Sequence, residues 1–222
     1  MSDTELLDGW VAAVAVLSPE VDGSVAHRAG VELLGRWGEP HRSYHTQQHL
    51  AEMLSAIDEL GPGSGLGSRE TLLAHVAAWL HDAVYDVQAP SGESERKSAR
   101  MARNLLASLQ FDGADRQVVE ELILLTIDHG TQLPGPLADV FTDADLAILA
   151  ALEARFDEYC AQVRAEYAHV PDAAYATGRS EILAALVERP EVYRTRFART
   201  AWTAAARANV RREMDRLSAS SG

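Results

Sequence analysis

The chain is built of apolar segments with helical spacing, set apart by short breaker clusters, and this pattern limits its fold most. Ala and Leu dominate the segments, and β-branched runs are short. No Asn-Gly or Asp-Gly hairpin joins alternating stretches. Ser18-Pro19 ends a first predicted helix over 3–17, and Gly38-Glu39-Pro40 ends a second over 22–37. A third runs over 44–60 into GPGSGLGSR, a flexible loop. That loop follows a helix and lacks a GKS or GKT ending, which excludes a phosphate-binding P-loop. A fourth helix starts after Ser68. Further helices cover 93–110, 113–129, 143–168, 178–188 and 190–217, with 131–141 a Pro/Gly-containing connection. Pro190 suits a first helical turn, and the tail SASSG reads as frayed. No internal repeat or domain boundary interrupts the chain. The expected fold class is all-α, with residues 1–222 in a single-domain helical bundle.

Composition narrows the partners. The net charge of −13 argues against a nucleic acid polymer, whose phosphates need a basic surface. A small phosphorylated substrate needs only a local basic pocket. The basic residues are nearly all arginine, with Lys97 the only lysine, which reads mainly as a compositional bias. No apolar stretch is long enough and charge-free enough to span a membrane. The start, MSDTELLDGW, lacks the layout of a signal peptide. A single cysteine, Cys160, rules out an internal disulfide and reads as a small packed residue. These features predict a cytoplasmic protein; the oligomeric state is not legible.

Three polar sites do not fit the core pattern. RSYHTQQHL places His45 and His49 four apart, on one face if that stretch is helical. It is no zincin signature, because Thr46 stands where HExxH has glutamate. AAWLHDAVYD sets His81 and Asp82 at the end of an apolar run, where burial without a partner is costly. A salt bridge or a divalent metal would each satisfy that pair. FTDADLAIL offers Asp143 and Asp145; one can cap a helix, which leaves a spare carboxylate. Asp128 and His129 close a predicted helix next to Gly130, where a histidine is also favoured by the helix dipole. His75 reads as a core histidine, and His27, His41 and His169 have no constellation around them. Glu166 and His169 form a single Glu-x-x-His; a di-iron bundle needs two copies, so the motif is discounted.

In order, these sites read H … HD … D. With RSYHTQQHLAEML, AAWLHDAVYD, SERKSA, LTIDH, FTDADLAIL, VRAEY and YATGRSEIL, the chain resembles the HD superfamily of predicted metal-dependent phosphohydrolases, over about 42–209. Thr46 replaces the family's Asn after YH, Leu80 an aromatic before HD, and Ser94 an Asn before Glu95. None of these changes removes a ligand.

The resemblance implies an HD-type helical bundle with His49, His81, Asp82 and Asp145 as metal ligands. His49 is preferred over His45 because it leads into the helix that continues past it. Asp145 is preferred over Asp143 because it directly precedes the Leu of the last motif. Two nitrogens and two carboxylates favour Mn, Fe, Co, Ni or Zn, with Mg the poorer fit. The implied activity is hydrolysis of a phosphoester in a nucleotide or other small phosphorylated substrate. Asp82 would position or take a proton, and His45 and His129 would serve as acids or hydrogen-bond donors. Arg42, Arg164 and Arg179 are candidate phosphate clamps, and Glu95 is expected near the pocket. The alternatives are a catalytically silent metal- and nucleotide-binding sensor and an HD-type di-iron oxygenase.

Overall fold

A computed structural model describes residues 1–130 and 133–219. Among them the chain is all-helical, with no strand. The helices are α1 (Asp3–Leu17), α2 (Gly23–Trp37), α3 (Gln47–Ser64), α4 (Ser68–Leu80), α5 (Glu93–Ser108), α6 (Gly113–Leu125) and α7 (Pro136–Asp145). A 3₁₀ turn (Leu146–Ala150) follows, then α8 (Glu153–Glu166), α9 (Asp172–Val187), α10 (Arg196–Ala201) and α11 (Thr203–Ala219).

Local chemistry sets the boundaries. Ser2 and Glu5 form a capping box at α1. Asp22 and Asp112 cap α2 and α6 through backbone N–H groups. Thr46 caps α3 by accepting from the Gln48 N–H, so the helix begins after His45 rather than at Tyr44. At its far end α3 runs through Pro62 and stops at Gly65, whose left-handed φ of 80° suits a terminating glycine. The predicted loop is therefore mostly helix.

Prolines and glycines stand beside several of the other departures. Pro136 is the first residue of α7, so most of the predicted connection is helical. Thr131 and Gln132 lie outside the described residues. The expected helix over 143–168 is really the end of α7, the 3₁₀ turn and α8. Helix α9 starts at Asp172, ahead of Gly178. Pro190 starts no helix; α10 begins at Arg196, where Thr195 accepts from the Ala198 N–H. Of the tail, Ser218 and Ala219 belong to α11, and 220–222 lie outside the described residues.

A single apolar cluster runs from Leu6 to Val210 and takes in residues of every helix except α9's outer face. Three tryptophans brace its centre. Trp10 packs on Trp79 with ring centroids 5.4 Å apart and donates to the Ala26 carbonyl at 2.9 Å. Trp37 donates to the Trp79 carbonyl at 3.0 Å. Buried indole N–H groups are thereby satisfied, and the end of α4 is fastened to the end of α2. Against this, α3 packs on α4 and α7, and α4 packs on α6 and α7. The N-terminal turn of α3 and the C-terminal ends of α4 and α7 converge. No helix among the described residues is long and apolar enough to cross a membrane.

Candidate metal centre

The converging helix ends carry the polar residues that the core pattern could not absorb. His49 projects from the first turn of α3, and His81 is the C-cap of α4, followed by Asp82 in a turn. Asp145 is the last residue of α7. Nε2 of His49 and Nε2 of His81 lie 3.4 Å apart. Oδ2 of Asp82 is 3.0 Å from His81 Nε2 and 3.9 Å from His49 Nε2. Oδ1 of Asp145 is 3.2 Å from His49 Nε2 and 3.6 Å from His81 Nε2. His49, His81 and Asp82 form a group able to hold a metal ion, and Asp145 closes it.

The histidines are held from behind. Nδ1 of His81 donates to the Ala78 carbonyl at 2.9 Å, which leaves Nε2 facing the cluster with its lone pair. Nδ1 of His49 is 3.1 Å from the Tyr44 hydroxyl. Burial keeps that phenol neutral and its pKa far above the usual value. Trp37 lies against both rings, 5.6 Å from His81 and 6.2 Å from His49. Two ring nitrogens and two carboxylates face one point, and a positive charge there, on a ring or on an ion, offsets the carboxylates.

The electrostatics agree. Burial works against charge on His81, yet Asp82 and Asp145 hold its pKa well above the ordinary imidazole range. Burial would raise both carboxyls, but His81 draws Asp82 down, and His129, His49 and His81 draw Asp145 down. Two imidazoles and a carboxylate, from His49, His81 and Asp82, could hold a metal ion, with Asp145 beside both histidines.

The flanking residues separate by what they touch. Asp143 is fully buried, and its oxygens accept from the N–H groups of Arg194 (2.8 Å) and Thr195 (2.7 Å). It steadies the entry to α10 instead of capping its own helix. Burial pushes its carboxyl up to about 6. His129 adopts a left-handed φ of 50°, rare for a residue with a side chain. Arg189 and Arg194 donate to its carbonyl at 2.7 and 2.9 Å, and its Nε2 lies 2.7 Å from Asp145 Oδ2. His45 precedes α3, so it does not share a helical face with His49; its Nε2 is 4.0 Å from Asp82 Oδ2. Glu95 lies in the first turn of α5, and burial raises its pKa, with Asp82 adding to the rise.

Of the three arginines, two serve the backbone. Arg42 is buried and donates to Glu39, to the His45 carbonyl (3.2 Å) and to the Asp82 carbonyl (2.8 Å). Its guanidinium lies over the rings of Trp37 and Tyr85. Arg164 donates to the carbonyls of Tyr167 and Val170 and pairs with Asp172. Arg179 donates to the Tyr159 hydroxyl, and its guanidinium lies over the Tyr159 ring. His75 pairs with Asp58 at 3.0 Å, away from the cluster.

Sequence reasoning missed Tyr44, Tyr85, Trp37 and Glu166 as parts of this site. VRAEY held the available signal for Glu166, and AAWLHDAVYD held it for Tyr85. No protein family, no curated protein and no solved structure matches this chain.

Proposed function

We propose that this protein is a metal-dependent phosphohydrolase of the HD type, acting on a nucleotide or another small phosphorylated substrate. One observation carries the reading: Nε2 of His49, Nε2 of His81, Oδ2 of Asp82 and Oδ1 of Asp145 converge from three helix ends, in the order that the resemblance implies. These four residues would hold one divalent ion, Mn, Fe, Co, Ni or Zn before Mg. When bound, such an ion polarises a phosphoryl oxygen and lowers the pKa of the water it holds. The chain's own residues then order the reactants. Asp82 Oδ2, the oxygen that faces the cluster, lies 4.0 Å from His45 Nε2, and His129 orients Asp145. His45, 22% exposed in its side chain, is open enough to meet substrate. The single buried, free Cys160 supports a cytoplasmic setting.

The alternative reading is a silent metal- and nucleotide-binding sensor. Arg42 and Arg164 are occupied by backbone carbonyls, so in either reading the phosphate is held by other groups. Metal analysis of purified protein is the first test. Stoichiometric metal that is lost in a His81→Ala, Asp82→Ala double variant supports the site, and no metal under any loading condition removes it. A screen of phosphomonoesters, nucleotides and cyclic dinucleotides with added Mn or Co then separates enzyme from sensor.

A further inference from the structure

Glu166 stands at the wrong end of its helix. It closes α8, where the dipole disfavours a carboxylate, and its side chain has no exposure. A buried carboxylate persists only where donors surround it. Here there are five. Oε1 accepts from three successive backbone N–H groups, those of Ser43 (2.8 Å), Tyr44 (2.8 Å) and His45 (3.0 Å), a nest of the kind that binds anions. Oε2 accepts from the Tyr85 hydroxyl and from Nδ1 of His45, each at 2.8 Å. Burial would raise its pKa, but His45 and the backbone donors bring it down to about 2. Glu166 is therefore an acceptor only.

That property fixes a proton on His45. Facing an acceptor, Nδ1 must carry the hydrogen, so in the neutral ring Nε2 carries the lone pair. The ring cannot turn away. It stacks on Tyr85 with centroids 4.1 Å apart, and its own backbone N–H is tied to the same carboxylate. Nε2 then lies on the side of the ring toward Asp82 Oδ2, 4.0 Å off. Arg42 reinforces the aim by holding the carbonyls of His45 and Asp82 with one nitrogen.

We propose that Glu166 is the positioning residue of this site, setting His45 in the Nδ1–H tautomer and presenting its Nε2 beside Asp82 as an acceptor. The neutral ring of His45 is then a proton acceptor, and the acid role that the resemblance implies follows once it has taken that proton. Its part in turnover rests on the phosphohydrolase reading. A water in the pocket gives a proton to His45 Nε2 as its oxygen bonds to phosphorus. The P–O ester bond breaks, and the imidazolium, balanced by Glu166, returns that proton to the leaving oxygen. Water and ester thus become alcohol and phosphate with no proton left over.

The test reads the tautomer directly. Ring ¹⁵N shifts of His45 are measured in the metal-free protein, in alkaline buffer where imidazole is neutral, with the signal assigned by its loss in His45→Gln. The wild-type ring is expected to carry its proton on Nδ1. In Glu166→Gln the carbonyl keeps the three backbone donors and the amide NH₂ faces Nδ1, so the proton is expected to move to Nε2. Glu166→Asp is expected to retain the wild-type tautomer. A wild-type proton on Nε2, or no change in Glu166→Gln, overturns the proposal whatever the chain hydrolyses. The wild-type measurement decides even if Glu166→Gln fails to fold. Once a phosphoester substrate is found, Glu166→Gln is expected to lower kcat by about 100-fold with metal content unchanged. A switched tautomer without any turnover by the wild type defeats the hydrolase reading alone.

Discussion

Asp145 divides its carboxylate between two histidines: Oδ1 lies 3.2 Å from Nε2 of His49, and Oδ2 lies 2.7 Å from Nε2 of His129. One oxygen faces the cluster while the other is held from outside, as supporting hydrogen bonds hold ligands in metal sites. Asp145→Asn keeps the shape and removes the charge. The metal content of the variant is expected to fall about 10-fold or more. Excess Mn or Co is expected to stabilise the wild type by on the order of 2.7 kcal/mol at a hundred times Kd, read as a rise in Tm, and that rise is expected to vanish in the variant. An unchanged thermal shift would count against the ligand role.

Arg42 gives a sharper choice between structure and substrate. Its donors hold the His45 and Asp82 carbonyls, so Arg42→Ala is expected to destabilise the protein by on the order of 3 kcal/mol in urea unfolding. Arg42→Lys keeps the charge but not the planar fork and is expected to remain impaired. If both variants keep full stability and lose only phosphate affinity, the clamp role returns.

The crossing of α1 and α2 depends on Gly30. A Cβ there would lie 2.5 Å from Leu7 Cδ1 and 2.7 Å from Trp10 Cδ1. Gly30→Ala gains about 1 kcal/mol of helix propensity, but overpacking costs roughly 1–3 kcal/mol. Leu7 can shift; Trp10 is buried, and its N–H is tied to Ala26. The clash prevails, and the thermal midpoint is expected to drop.

Acid stability follows from Glu166. Its folded pKa of about 2 lies below the ordinary 4.5. The stabilisation is therefore present above pH 4.5 and lost as pH falls from there through 2. Wild-type stability is expected to decline over this window by on the order of 3 kcal/mol from Glu166. Glu166→Gln should flatten that part of the curve in urea melts taken at successive pH values.

Cys160 is expected to resist alkylation in the native protein, because burial pushes its thiol up to about 12. Rapid labelling at neutral pH without denaturant would contradict this. Any stabilisation from the buried thiol is present below the ordinary 9 and lost as pH rises through 12.

The four proposed ligands were legible because they interrupt apolar helical runs, where lone polar groups are costly. His81-Asp82 shows it best, since Trp79 and Leu80 fix the helix end in the core. The supporting residues were not legible for the opposite reason. Glu166 and Arg42 look like ordinary charged helix-end and loop residues. Their role arises only when α8 meets the loop before α3, a contact between positions far apart in sequence. His45 was placed on the wrong element because Thr46 is a helix start signal that a four-residue histidine spacing obscures. Helix α7 was hidden because Pro136, after a glycine, reads as a turn until its N1 position is seen.

The donors that surround the pocket come from α3, α4, α7 and the turn after α6, spread over most of the chain. No single helix hairpin holds a complete set. A partly folded chain therefore offers an ion only scattered, weak ligands, and tight capture comes after long-range closure of these elements. Metal present during refolding has little to bind in the transition state, so it would slow unfolding and leave the folding rate nearly unchanged.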